Sequence, residues 1–423
     1  ALDVVSWDNY PQWHTTDNTE IAVSSAMAHD VMRSVKHENF LLMESTPSMT
    51  NWTPVSMLKR PGMHLLSSMQ AVAHGSNSVQ YFQFRKSRGS CEKFHGAVVD
   101  HVGNSGPYDF VRTENTRVFK DVQQVGAALR EMNARGDVYG TAVKPQVAIV
   151  YDVENRWALD AAAGPRNKDK DEKYVETLLK HYRPFWDAGV QVDIVDMDGD
   201  ISGYKLVVAP MLYMYRAGFE QKMRAFVENG GTLVTTYWSG IVDESDLCRL
   251  GGVPGGMMDV FGVWNEEIDS LPDGVKNSVA MDGRSYDAFE LCARIHPITA
   301  EVLGTYEKDF YAGEPAVTKN RFGSGAAYYI AARTGTDLLA DLYGGLISAL
   351  GIARAIDTAL PAGVTAHERI GENGAVVFVE NYNNAEETVE LPGGYELYGT
   401  GERVNSIKLA PFGVAVLSKL TKI

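Results

Sequence analysis

Cysteine is scarce in this chain of 423 residues, with Cys91, Cys248 and Cys292 far apart and odd in number. Three isolated thiols cannot form the disulfide framework of a secreted scaffold, and no Cys-x-x-Cys pair is present to hold a zinc ion. The sequence therefore predicts a protein of a reducing compartment, and we expect a cytoplasmic location without a cofactor.

Positive charge is also sparse, because 39 Lys and Arg stand against 54 Asp and Glu, for a formal net charge of −15. Nucleic-acid binding needs clustered cations that neutralise phosphates, so a nucleic-acid partner is not expected. No apolar run reaches the ~18 residues that a membrane-spanning helix requires, so no membrane partner is expected either.

The composition is that of a globular protein, since 45% of the residues are hydrophobic. At ~150 residues per domain, the length predicts about three domains. The chain opens with Ala-Leu-Asp rather than with Met. We therefore expected that its natural N-terminus lies further upstream.

The first 140 residues repeat one architecture. Short apolar runs begin at Leu2, Phe40 and Val79, too short for helices and therefore predicted to be strands. Helical spacing appears at 21–32 and 63–72 between them, and again from about Thr116 to Met132. Alternating strands and helices predict βα units on a parallel sheet.

The second apolar run, Phe40-Leu41-Leu42-Met43, ends in the carboxylate of Glu44. In a (β/α)8 barrel, side chains at the carboxyl ends of the strands converge on one mouth and perform the chemistry. Glu44 is therefore a candidate catalytic residue. On the pattern alone, a solvated strand end is the preferred interpretation of a single glutamate.

The segment "FLLMESTPSMTNW", followed by "LKRPGMHLLSSMQAVAHGSNSVQYFQFRKSRGSCEKFHGAVVDHVG", resembles the catalytic barrel of the glycoside hydrolase family 42 β-galactosidases. The resemblance extends over residues 1–140. It implies that Glu44, at the end of barrel strand seven, is the nucleophile of a retaining mechanism. It further implies that Trp52 and Phe82 wall the galactose subsite, while Glu92 and His95 hydrogen-bond sugar hydroxyls.

This chain departs from the family because only three of the eight βα units of a closed barrel are present, which we take as strands six to eight. The acid/base glutamate and the frequent structural zinc site of the family belong to the earlier part of the barrel. No residue here matches the acid/base motif, and Asp8, Asp100 and Glu92 inherit no such role. We therefore expect a missing N-terminal segment to supply both, either as the removed part of a truncated enzyme or as a separate polypeptide of a nicked or split one.

Residues 141–360 predict a second α/β domain of flavodoxin-like or amidotransferase-like pattern. No nucleophilic Cys or phosphate-binding loop follows its strands, so it is interpreted as a scaffold, and the resemblance implies a trimerisation domain and a homotrimer. Residues 361–423 alternate apolar and polar side chains with Asn and Gly turns, which predicts a small antiparallel β-sandwich. The predicted strands of the second domain lie at 146–152, 190–197, 205–210 and 231–238, with helices near 171–187 and 217–229.

Two hypotheses about function follow. The first is a retaining β-galactosidase that hydrolyses small galactosides once the missing segment supplies the acid/base. The second is a catalytically incomplete fragment for oligomerisation and binding. An activity assay of the chain on galactosides distinguishes them.

Overall fold

The computed structural model describes residues 2–102, 107, 108, 110–166, 169 and 173–420. The chain divides into two compact units, and both ends of the chain belong to the first of them. The first unit comprises Ala1–Lys144, Trp186–Gln191 and Ala353–Ile423, and the second comprises Pro145–Phe185 and Val192–Ile352.

The first unit opens with the predicted alternation of strands and helices. Its three strands form a parallel sheet in the order β1-β2-β3. The helix predictions are confirmed, and β2 covers the predicted apolar run together with Glu44. The elements are β1 (Ser6–Asp8), α1 (Asn18–Ser34), β2 (Phe40–Glu44), α2 (Met63–Ala73), β3 (Ser76–Val79), a 3-10 helix (Thr113–Asn115) and α3 (Arg117–Ala134).

Local sequence signals explain where these helices begin and end. The carboxylate of Asp17 accepts a hydrogen bond from the backbone N–H of Thr19 at 2.8 Å, and Thr116 accepts one from Phe119 at 3.3 Å. Each side chain satisfies an N–H that the first turn leaves without a partner. Gly75, with a φ of +110°, takes the chain out of α2 in a backbone conformation that favours glycine.

Two of the strand predictions are wrong in position. The run from Leu2 forms a strand only from Ser6, and the side chain of Leu2 is exposed. The run from Val79 was predicted as a strand, but β3 ends at that residue. Beyond it, the N–H of Gln80 still donates to the carbonyl of Leu42 in β2 at 3.2 Å. From Gln83 onward the chain pairs with the segment 96–99, for example from Val98 N to Gln83 O at 3.0 Å.

The second unit contains a parallel sheet that confirms the four predicted strands. With β13, they lie in the order β5-β4-β6-β7-β13, which is the 2-1-3-4-5 order of flavodoxin-like folds. Its elements are β4 (Val147–Val150), α4 (Val153–Ala161), α5 (Tyr174–Asp187, whose last two residues belong to the first unit), β5 (Val192–Val195), β6 (Leu206–Ala209), α6 (Phe219–Glu228), β7 (Thr232–Thr236), β13 (Gly325–Ile330) and α8 (Thr336–Ala349).

An antiparallel extension widens this sheet to eleven strands and was not predicted. The Gly-rich segment 322–331 contains the hairpin turn that leads into β13, where Gly323 has a φ of +56°, and β13 itself. The added elements are α7 (Met258–Phe261), β8 (Val263–Ser270), β9 (Lys276–Met281), β10 (Arg284–Pro297), β11 (Glu301–Tyr306), β12 (Pro315–Phe322) and β14 (Ala332–Thr334).

The last part of the first unit is a five-stranded antiparallel sheet in the order β15-β16-β19-β17-β18, which confirms the predicted antiparallel structure. Side chains of α2 and α3, including Val72 and Val125, pack with Val376 and Phe378 of this sheet in one buried cluster. The strands are β15 (Val364–Gly371), β16 (Gly374–Asn381), β17 (Glu387–Leu397), β18 (Arg403–Leu409) and β19 (Val414–Lys419).

Candidate active site

Glu44 stands at the carboxyl end of β2, in register with Asp8 on the neighbouring strand β1. The backbone N–H of Asn9 donates to the carbonyl oxygen of Glu44 at 2.9 Å, which ties the two strand ends together. The hydroxyl of Tyr10 donates to Glu44 Oε2 at 2.8 Å. The half-buried carboxylate of Glu44 is therefore held by a side chain that follows the adjacent strand.

The ring of Tyr10 connects Glu44 with the other predicted site residues. It makes edge-to-face contacts with Trp52, at 5.3 Å between ring centroids, and with His95, at 5.9 Å. His95 in turn contacts Phe82 edge-to-face at 5.0 Å. Such aromatic contacts fix ring orientations as well as burying area, so these four rings form one ordered group beside the carboxylate.

Glu92 joins this group through the turn that it forms with His95, whose backbone N–H donates to the Glu92 carbonyl at 2.9 Å. His95 is fully buried, whereas Glu92 is half-buried and Trp52 is 55% exposed. The structure thus brings together Glu44, Trp52, Phe82, Glu92 and His95.

The raised pKa of Tyr10 keeps its hydroxyl protonated, so that Tyr10 remains a hydrogen-bond donor. Burial first, then its hydrogen bond to Glu44 and the nearby negative charges, raise the pKa of Tyr10 well above its ordinary value. Burial, then Glu44, also raises the pKa of Asp8. The phenol keeps its proton at neutral pH, so its hydroxyl remains a donor to Glu44.

The loops that carry the site residues touch through Gly96. Its N–H donates to the carbonyl oxygen of Met49 at 2.8 Å. A Cβ at position 96 would lie 2.8 Å from Thr46 Oγ1 and 2.9 Å from the N and O of Met49. Only glycine permits this approach, which places the loop bearing Trp52 against the one bearing His95.

Sequence reasoning missed Tyr10 as a site residue. A signal was present, because Tyr10 closes the polar run Trp7-Asp8-Asn9-Tyr10 at the end of a predicted parallel strand. Its hydrogen bond to Glu44 depends on the register between β1 and β2, which the sequence alone does not specify.

The corresponding edge of the second sheet is filled by its own side chains. In flavodoxin-like folds, ligands bind where the strand order reverses, here between the carboxyl ends of β4 and β6. Asn155 crosses this position, donating to the carbonyl of Met211 at 3.3 Å and accepting from the N–H of Met214 at 2.9 Å. Asp152 caps α4 and pairs with Arg216 at 3.0 Å. Side chains of this unit therefore make hydrogen bonds and an ion pair at that edge.

Neither a metal site nor a membrane span emerges from the described residues. No three His, Cys, Asp or Glu side chains among them are arranged to hold an ion. None of the helices among them is both long and apolar enough to cross a bilayer. All three cysteines are free thiols, with Cys91 and Cys248 exposed and Cys292 buried.

Comparison with known proteins finds three models of one glycoside hydrolase family along the chain. Residues 1–132 match the β-galactosidase model of family 42, residues 145–353 its β-galactosidase trimerisation domain, and residues 363–419 its β-galactosidase C-terminal domain.

Curated and solved relatives agree with these models. The chain is 51% identical to β-galactosidase Pbg of Clostridium perfringens and 49% identical to β-galactosidase BglY of Alicyclobacillus acidocaldarius, with 99% of this chain and 60% of each relative covered. Among solved structures, the cold-adapted β-galactosidase from Rahnella sp. R3 matches with a TM-score of 0.92 at 48% identity, and Gan42B, a family 42 β-galactosidase from G. stearothermophilus, with 0.93 at 43%. Both cover 99% of this chain, which spans 60% of their length.

Proposed function

Because the chain belongs to glycoside hydrolase family 42, we propose that it is the C-terminal part of a retaining β-galactosidase. The enzyme would release terminal β-D-galactose from small galactosides by double displacement. The observation that carries this proposal is the contact group around Glu44, in which one hydrogen bond and a set of ring contacts join the carboxylate to Trp52 and His95.

In this mechanism Glu44 attacks the anomeric carbon of galactose, and the glycosidic oxygen leaves with a proton from the acid/base glutamate. Water then hydrolyses the covalent glycosyl-enzyme and returns a proton to that glutamate. Tyr10 holds one carboxylate oxygen, so that the other is free to attack. Trp52 and Phe82 offer flat apolar walls to the sugar, while Glu92 and His95 hydrogen-bond its hydroxyls. No step requires a cofactor.

The acid/base glutamate is assigned to the part of the relatives that this chain does not match, since the chain spans 60% of their length. There we also place the five remaining barrel strands and any structural zinc site. A retaining enzyme keeps its two carboxyl groups about 5–5.5 Å apart, so that segment must bring its glutamate over the mouth beside Glu44.

The other two domains complete the proposal. The parallel strands of residues 1–140 are barrel strands six to eight, residues 141–360 are a trimerisation domain and residues 361–423 a small β-sandwich. The matched family models and the strand order of the second sheet support this division. We infer a homotrimer and, from the free exposed thiols, a cytoplasmic location.

An assay tests the proposed function directly. The 423-residue chain alone and the longer protein with all eight barrel strands are given an aryl β-galactoside and lactose. We expect the longer protein to hydrolyse both, because it has both carboxyl groups, and the chain alone to be inactive on lactose, which needs a proton donor. If the longer protein hydrolyses neither substrate, the proposed function is refuted. The chain would then be interpreted as a fragment for binding and oligomerisation.

Tyr10→Phe in the longer protein should lower kcat/KM by about 10- to 100-fold, since a hydrogen bond to a charged group contributes about 1.5–3 kcal/mol. Steady-state kinetics on the aryl galactoside measure the loss. Tyr398→Phe is the matched control, because the Tyr398 hydroxyl donates to the carboxylate of Asp137 at 2.6 Å in another part of the unit. Unchanged kinetics for Tyr10→Phe would remove Tyr10 from the site.

A further inference from the structure

The side chain of Asn51 bridges the two loops that carry the proposed sugar contacts. Its Nδ2 donates to the carbonyl oxygen of Cys91 at 2.8 Å, and its Oδ1 lies 3.2 Å from His95 Nδ1. Asn51 directly precedes Trp52, and Cys91 directly precedes Glu92. One amide therefore connects the segments that bear three of the predicted site residues.

This arrangement determines which nitrogen of His95 carries the proton. A backbone carbonyl can only accept, so the NH2 group of Asn51 must face Cys91 and the amide oxygen must face His95. The imidazole nitrogen at 3.2 Å then has to be an N–H donor. The other tautomer would set two lone pairs against each other at this distance.

The remaining nitrogen, His95 Nε2, is left as a lone-pair acceptor. It is buried and has no hydrogen-bond partner in the described part of the chain. A buried polar atom without a partner costs stability unless another molecule satisfies it. A sugar hydroxyl is a donor of the required kind.

Burial is the main reason why the ring of His95 is neutral near pH 7. Burial lowers its pKa, and Lys86 lowers it further, against raising contributions from Glu92, the Phe82 carbonyl and Glu44. A neutral ring has one donor and one acceptor nitrogen, so when Nδ1 donates to Asn51 the acceptor is Nε2.

We propose that Asn51 is a positioning residue that fixes His95 as the Nδ1–H tautomer, so that Nε2 accepts a hydrogen bond from a galactose hydroxyl. The choice of tautomer depends only on contacts within the chain. The role of Nε2 toward galactose rests on the proposed function. The two parts are tested separately.

The tautomer is measured on the 423-residue chain labelled with ¹⁵N-histidine, by correlating the ring nitrogens with the ring carbon-bound protons. The signal of His95 is identified by its loss in His95→Gln. We expect the unprotonated nitrogen near pH 7 to be Nε2. If the unprotonated nitrogen is Nδ1, or if both nitrogens are protonated, the proposal is overturned. This result needs no Asn51 variant.

Two variants then test whether Asn51 sets this state. Asn51→Ala should replace the single pattern by an average of the two neutral tautomers. Asn51→Asp should place a carboxylate beside Nδ1 and move the ring toward the doubly protonated form. Asn373→Ala is the matched control, because Asn373 donates to the carbonyl of Arg135 at 2.9 Å on an exposed surface. A His95 signal that is unchanged in both Asn51 variants would refute the assignment.

Kinetics of the longer protein test the link to substrate. Loss of one oriented hydrogen bond should raise KM for the aryl galactoside about tenfold in Asn51→Ala, with a smaller change in kcat. Asn51→Asp should bind more weakly near pH 7 than at higher pH, where the ring loses its second proton. A normal KM in a variant whose tautomer has changed would overturn the sugar contact, and an inactive wild type would refute the proposed function while leaving the tautomer result standing.

Discussion

Replacing Glu44 with glutamine in the longer protein is expected to lower kcat/KM on an aryl β-galactoside by at least about 10⁴-fold, about 5 kcal/mol. Glutamine keeps the size of the side chain but cannot form the glycosyl ester, so the first displacement is lost even with a good leaving group. Initial rates measured with both the aryl galactoside and lactose should fall together.

Azide provides a positive test of the same assignment. In Glu44→Ala, azide can enter the space of the carboxylate and attack the anomeric carbon, while the aryl oxide leaves from the opposite face. The product should be α-galactosyl azide. Glu114→Gln, on the exposed 3-10 helix, is the control and should keep full activity. A tenth of the wild-type rate in Glu44→Gln, or a β-galactosyl azide, would take the nucleophile role from Glu44.

The elements whose signals are local could be predicted from the sequence. The run Phe40–Glu44 and the helix Met63–Ala73 with Gly75 behind it lie where apolar spacing and the glycine indicated. The antiparallel extension of the second sheet could not be predicted in the same way, because its edge strands mix exposed and buried positions irregularly, as in the strand Val263–Ser270.

The candidate site could be predicted only in part. Periodicity placed Glu44 at a strand end, but its grouping with Trp52 and His95 came from the resemblance to family 42. The contact of Tyr10 with Glu44 depends on the register between two strands. The contact of Asn51 with His95 joins two loops that lie 44 residues apart in the sequence. Such contacts are set by tertiary packing rather than by local pattern.

The buried side chain of Arg369 also makes contacts that the sequence alone could not predict. It lies in the strand Val364–Gly371, where the sequence His-Glu-Arg suggests polar surface, yet its side chain is fully buried. The guanidinium donates to backbone carbonyls of Val72, Ser76 and Val138 at 3.0, 2.8 and 2.6 Å, and also to groups of Asn77 and Thr141. Each of these partners is an uncharged group, so none of them offsets the buried charge. Burial, followed by the charge of Arg33, lowers the pKa of Arg369 to about 10.

Arg369→Met is therefore expected to lower the free energy of unfolding of the first unit by about 3–5 kcal/mol. Methionine fills much of the same volume, but the carbonyl oxygens of Val72, Ser76 and Val138 would be buried without donors. Relief of the buried charge offsets only part of that cost. Urea unfolding followed by hydrogen exchange of β15 and α2 measures the change. Arg403→Met, at a side chain that is 80% exposed, should shift stability by less than about 0.5 kcal/mol. A loss below about 1 kcal/mol in Arg369→Met would mean that water or neighbouring donors replace its hydrogen bonds. The guanidinium would then not be the group that joins Ser76, at the start of β3, to the C-terminal sheet.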